Sequence, residues 1–200
     1  MIRPSTIHCL ALNYSGVGPS DNEEPLYFIK GSEAYATSGV IISYPNNVSR
    51  FWTEVELGIV ISEDCQNIAE DDAIKYVEGF VVCGDISCSN IYSRDHHLAF
   101  SKSRKSFCPT SKVSKNKFIE TNNLNMITEI NGKVTQKGST SSMILNVSQS
   151  LSYISNITEL KKSDIIITGT PKGWRNNFLK SGDKITHKIE KIGEVEFYIK

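Results

Sequence analysis

A chain of 200 residues and 22.3 kDa is long enough to bury one substantial core and too short for a second independent one. Lysine plus arginine and aspartate plus glutamate each total 22, the isoelectric point is near 6.9, and no like charge runs for five residues, so neither nucleic acid nor an anionic membrane is the expected partner. The opening MIRPSTIHCLALNYSGVG lacks a secretory h-region and a membrane span, and Cys9, Cys65, Cys83, Cys88 and Cys108 form no CxxC pair, so a cytoplasmic protein with free thiols is expected.

In chain order, β-branched and aromatic runs bounded by turn residues predict strands at 6–12, 26–30, 40–44 and 53–62. A helix is expected over 69–78, where Glu70, Asp71 and Asp72 suit the positive end of the helix dipole and Gly79 supplies a stop. A strand at 79–86 follows, and the lysine- and asparagine-rich segment 111–125 reads as an exposed connection. Asn131-Gly132 between two alternating runs makes 126–139 a hairpin, because both residues tolerate the positive φ of a tight turn. A second helix over 146–154 sets Ile144, Val147, Leu151 and Ile154 at helical spacing. Strands at 165–168, 184–189 and 193–199 complete the pattern: mixed β with few helices, of the α+β class, in one domain spanning 1–200.

The strand at 53–62 contains an anomaly. Residues two apart on a strand point the same way, so Glu54 and Glu56 share one face while Val55, Leu57, Ile59 and Ile61 form an apolar face opposite. The pair is either a solvated strand edge or a site, since two like charges in low dielectric need a proton or a cation between them. Asp85, after an apolar run and Gly84, is either a turn aspartate or a third oxygen ligand. Three carboxylates from two strands are the set a hard divalent cation takes, with Mg²⁺ or Mn²⁺ the natural candidates.

Further blocks make the chain similar to a known family. ALNY at 11–14, TEVELGIVI at 53–61, YVEGFVVCGDIS at 76–87, FCP at 107–109, NGKVTQKGSTSSMI at 131–144 and ITGTPKG at 167–173 stand in order, followed by GDKI at 182–185 and IGEV at 192–195. Together they resemble the fumarylacetoacetate hydrolase family over nearly the whole chain. The resemblance implies a β-sheet roll of that family's C-terminal domain type, usually a homodimer, with Mg²⁺ or Mn²⁺ on Glu54, Glu56 and Asp85. It implies a small 2-oxo acid as substrate, cleaved by hydrolysis or decarboxylation or isomerised between keto and enol forms. Family spacing, seven residues before Pro109, selects Lys102 as the catalytic lysine in preference to Lys105. Tyr14, Gln136, Gly169 and Thr170 match positions that contact substrate.

Two departures bear on mechanism. Family members that hydrolyse C–C bonds follow the first block with an H-x-x-E dyad on a short lid helix; here Val17 and Ser20 occupy those places, and Gly16, Gly18 and Pro19 oppose a helix. After Asp85 the usual arginine–aspartate pair is replaced by Ser89-Asn90, with Arg94-Asp95 five residues later and His96 and His97 next to it. His8 and His187 fall in strand-like segments. Two readings therefore stand: an enzyme of the lyase, isomerase or hydrolase type, or a degenerate member that binds a small acid or a protein partner without turnover.

Overall fold

The computed structural model describes residues 2–18, 20, 24–89 and 95–200. Short strands β1 (Thr6–Ala11), β2 (Leu26–Gly31), β3 (Tyr35–Thr37) and β4 (Val40–Ile42) precede the two long ones, β5 (Phe51–Ile61) and β6 (Val77–Cys88). Helix α1 (Ala99–Lys102), β7 (Cys108–Thr110), β8 (Asn125–Ile130), β9 (Lys133–Ser139) and α2 (Val147–Ile157) follow, then β10 (Ile165–Ile167), β11 (Lys184–Ile189) and β12 (Gly193–Ile199).

Seven strands form a sheet in the order β2-β1-β10-β5-β6-β7-β3, parallel at β1–β10 and β7–β3 and antiparallel elsewhere. A second sheet, β4-β12-β11-β8-β9, packs on the first. The mixed β roll expected from the sequence is the observed architecture. Alternation along β5 sorts its side chains: Val55, Leu57, Ile59 and Ile61 enter a core shared with Leu151 and Ile154 of α2 and with Met126, while Val60 belongs to a separate cluster with Ile7, Val81 and Ile165. Trp52, Glu54 and Glu56 have the same parity as Val60, and thus lie on the face away from the α2 core.

Three local expectations change. Residues 69–78 are not an α-helix: Glu70–Tyr76 is 3-10, and Val77 already pairs with Ile61 as the start of β6. Gly79 is a mid-strand glycine required by close approach, since a Cβ there would stand 2.3 Å from Ser114 O. Segment 111–125 is partly anchored: Ser114 bridges Phe80, Ser111 Oγ accepts from Val82 N at 2.9 Å, and Leu124 is buried. The second helix runs on to Ile157, with Asn146 and Gln149 exchanging side-chain and backbone hydrogen bonds of 3.0 Å as a capping box and Ile144 lying outside it. The Asn131-Gly132 hairpin is as expected, with φ of 53° and 77°.

Candidate metal centre

The antiparallel register of β5 and β6 places Glu54 opposite Asp85 and Glu56 opposite Cys83, so all three carboxylates emerge on one face of the sheet. Each offers an oxygen within 4.8 Å of the others. Glu56 and Asp85 are 2% and 1% exposed, and Glu54 stands at the mouth. The opening alternative is thereby resolved against a solvated edge.

Two ammonium groups enter the cluster. Lys102, at the end of α1, donates to Asp85 Oδ2 and lies 3.5 Å from Glu54 Oε2. Helix α1 is anchored by Asp95, whose Oδ1 accepts from Phe100 N at 3.0 Å and whose Oδ2 accepts from Ser101 N at 2.6 Å. Lys30, from β2, was not singled out in the sequence. It has no exposed side-chain surface, sits 2.5 Å from Asp85 Oδ1, and donates to Phe107 O at 2.8 Å. Its only local signal is that it shares the inward parity of Phe28.

Burial and neighbours set the protonation. Burial pushes the Glu56 carboxyl well above its usual range, reinforced by Asp85 and Glu54, and burial likewise raises Glu54 against the pull of Lys102. Burial acts to raise Asp85 too, but Lys102 and Lys30 overcome it and hold that carboxyl low. For Lys102, burial works against the charge and the carboxylates win, so the ammonium stays protonated. With every group ionised, three carboxylates and two ammonium groups leave the cluster one positive charge short. Asp85 Oδ1 also lacks a donor in hydrogen-bond geometry. Buried, acceptor-rich and oxygen-only, the donor set fits a hard divalent cation.

One wall is the turn after β10. Gly169, at φ +89°, points its N–H at Glu56 Oε2 (2.6 Å), and a Cβ there would lie 3.0 Å from Leu10 O. Gln136 of β9 is buried: its amide nitrogen donates to Thr170 Oγ1 (3.1 Å) and Pro171 O (2.8 Å), while its oxygen accepts from Asn177 (2.7 Å) and Thr128 (3.1 Å). Tyr14 is also fully buried, with its ring behind Gly169 and its hydroxyl 3.4 Å from Met126 Sδ. Both residues support the turn from behind. Asn13 joins in by donating to Thr168 O (3.0 Å) and Leu145 O (3.1 Å). Trp52, another residue the sequence reading passed over, donates from Nε1 to Glu54 Oε1 at 2.8 Å.

Other candidates lie elsewhere. Lys105 is exposed, and His96 and His97 are exposed on a groove beside Tyr27 and Phe28. His8 bonds Tyr27 Oη (2.8 Å), and His187 is held between Thr53 (2.8 Å) and Thr128 (3.0 Å), where burial lowers its pKa to about 3. Val17 packs against the α2 core and carries no proton acceptor; residues 15–17 form a turn, and Ser20 itself is neither helix nor strand. Pro19, Asn90 and Arg94 lie outside the described residues. All five cysteines are free and buried. Among the described residues no helix is long and apolar enough to cross a membrane.

Comparison with known proteins bears on this geometry. The family model described as "Fumarylacetoacetate (FAA) hydrolase C-terminal" matches residues 6–200. Oxaloacetate tautomerase FAHD1, mitochondrial, of Bos taurus is 32% identical over 205 residues, covering 96% of this chain and 90% of that protein. The crystal structure of 2-hydroxyhepta-2,4-diene-1,7-dioate isomerase from Mycobacterium marinum superposes with a TM-score of 0.91 at 29% identity, covering 99% and 75% of the two chains. A fumarylpyruvate hydrolase from Pseudomonas aeruginosa, crystallised with Mn²⁺ and pyruvate, shares the fold at a TM-score of 0.89 and 21% identity, over 99% of this chain and 90% of that one.

Proposed function

Since this chain belongs to the fumarylacetoacetate hydrolase family, whose members named above are enzymes, we propose that it is a divalent-metal-dependent enzyme acting on a small 2-oxo acid, with keto–enol isomerisation or decarboxylation as its chemistry. The observation that carries the reading is the buried cluster of Glu54, Glu56 and Asp85 with Lys102 inside it. These three carboxylates would hold Mg²⁺ or Mn²⁺, which supplies Lewis-acid polarisation of a 2-oxo group.

The chain's own residues divide the remaining work. Lys102, kept protonated by its carboxylate neighbours, is suited to stabilise the enolate oxygen and unsuited to act as a base. Gly169 fixes Glu56 through its amide, so that this carboxylate cannot rotate away. Thr170 Oγ1 accepts from Gln136, which leaves its O–H to donate, and a substrate carboxylate is the acceptor that chemistry favours. Lys30 compensates Asp85 at Oδ1 from the protein side, while Lys102 holds Oδ2.

Hydrolysis is the less supported branch. Val17, packed against the core, and Ser20 provide no group to deprotonate water where the dyad of hydrolytic members stands. The same observation favours a second reading, a binding member without turnover. A homodimer is the assembly the resemblance implies, and light scattering tests it.

Oxaloacetate separates the readings. Its enol absorbs in the ultraviolet, so isomerisation and loss of CO₂ are followed directly with metal-loaded wild type, metal-stripped protein and Glu56→Ala. Metal-dependent acceleration abolished in Glu56→Ala supports the enzyme. No acceleration of oxaloacetate or a panel of 2-oxo acids, with metal-dependent oxalate binding retained, establishes the binding member.

A further inference from the structure

The cluster is continued along its own strand face by a pocket of about 370 Å³ lined by Arg50, Trp52, Trp174, Arg175 and Phe178. Trp52 belongs to both. Its Nε1 donates to Glu54 Oε1 at 2.8 Å, and its ring stacks on Trp174 with centroids 5.8 Å apart and planes 30° from parallel. Within β5, residues 52, 54 and 56 have one parity, so Trp52 and the carboxylates lie in line on the same side of the sheet. Trp174 and Arg175 arrive on the 3-10 turn Trp174–Asn176 directly after the Gly169–Pro171 wall, and Phe178 bridges Trp52. The pocket is thus built from the two segments that also build the centre.

Its composition is unusual for this chain. Both tryptophans of the sequence are in it. Among the described residues, neither Arg50 nor Arg175 has a carboxylate within ion-pair distance, although the lysines of the cluster and several on the surface are paired. Arg175 lies over the Trp174 ring with its Cζ 5.0 Å from the centroid, and stacking of this kind is compatible with a guanidinium that still donates through its N–H groups. Two guanidinium groups without a carboxylate partner among the described residues, lining a pocket with two stacked indoles, match a planar chain ending in a carboxylate, which arginine takes in a bidentate manner.

Resting on the reading of the carboxylate cluster given above, we infer that the Arg50–Trp52–Trp174–Arg175 pocket receives the far end of the substrate, and that this far end is a second carboxylate on a chain longer than that of oxaloacetate. The 2-oxo acid end meets the carboxylate cluster, the chain runs past the Trp52 indole, and the terminal carboxylate meets the arginines. On this inference the pocket selects for length as well as charge.

The test is a binding series with Mn²⁺-loaded protein, read by calorimetry and by the fluorescence of Trp52 and Trp174, which as the chain's two tryptophans both report the pocket. The probes are oxalate, oxaloacetate, 2-oxoglutarate, 2-oxoadipate and 2-oxosuberate, with 2-oxohexanoate and 2-oxooctanoate as chains lacking the second carboxylate. At least one of the two longest diacids is expected to bind about tenfold or more tightly than its monoacid and to quench the fluorescence, an advantage lost in Arg50→Gln/Arg175→Gln while oxalate affinity is unchanged. Equal affinity of diacid and monoacid at every length, or an equal loss of oxalate and diacid binding in the arginine variant, overturns the inference. Oxalate that fails to bind the wild type overturns the reading of the centre itself, and the inference with it.

Discussion

Replacing Lys30 by methionine removes a charge that has no contact with solvent. The side chain is 0% exposed, its ammonium lies 2.5 Å from Asp85 Oδ1, and its hydrogen bonds go to Phe107 O and Ile86 O at 2.8 and 3.3 Å. Lys102 stays on Asp85 Oδ2, but three buried carboxylates then face one ammonium group, and taking one partner from a buried ion pair costs about 3–5 kcal/mol. Methionine conserves the apolar stem, so little of the loss comes from a cavity. For a chain of this size the expected fall in Tm is about 6–20 °C. Urea unfolding of metal-stripped protein, with an unchanged m-value, reads the loss directly. If the excess carboxylate charge at Asp85 is the cause, adding Asp85→Asn to Lys30→Met recovers at least about 2 kcal/mol, and saturating Mn²⁺ recovers part of it in the single variant. A loss under about 1 kcal/mol, or strictly additive effects of the two substitutions, refutes the assignment of Lys30 as the counter-ion of the centre.

Three further outcomes are expected. Gly169→Ala forces a side chain into φ +89° and to within 3.0 Å of Leu10 O, so it costs about 1–3 kcal/mol and, by disturbing the amide that holds Glu56, weakens Mn²⁺ binding; an unchanged Tm contradicts this. Gln136→Ala orphans Thr170 and Asn177, lowering stability by about 2 kcal/mol or more and kcat/KM on the 2-oxo acid substrate, with Mn²⁺ affinity retained because no metal ligand is touched. Mn²⁺ affinity falls on acidification from a higher pH than an exposed carboxylate, whose pKa is about 4.3, would give, because Glu56 is raised and its proton competes with the cation. The sign for folding is opposite: a raised carboxyl pKa means that the native state holds the proton more tightly. Metal-stripped protein therefore gains stability from this group as pH falls from neutral through the Glu56 pKa, and Glu56→Gln removes that gain.

The period-two pattern of β5 made Glu54 and Glu56 legible, because no alternative secondary structure puts two carboxylates on one side and four branched apolar residues on the other. Asp85 was legible as a third oxygen, but its position directly across from Glu54 depends on a register that only pairing determines. Lys30 escaped because a lysine near the end of a short strand reads as solvated, and its burial is produced by Phe107 and Ile86, distant in sequence. Trp52 escaped for the reverse reason: an aromatic residue on a strand reads as core, and only the geometry reveals its bond to Glu54. The acidic turn at 70–72 gave a correct start signal for a helical segment, while pairing of Val77 with Ile61 cut that segment short, a tertiary contact overriding local propensity.

The most direct test of the metal centre is calorimetric titration of metal-stripped protein with Mn²⁺ and then with oxalate, in the wild type and in Glu54→Ala and Glu56→Ala. The carboxylate cluster predicts saturable Mn²⁺ binding, oxalate binding only once the metal is present, and loss of both in each variant. Oxalate that binds equally well without metal, or Mn²⁺ affinity untouched by either substitution, contradicts the assignment of Glu54, Glu56 and Asp85 as the site.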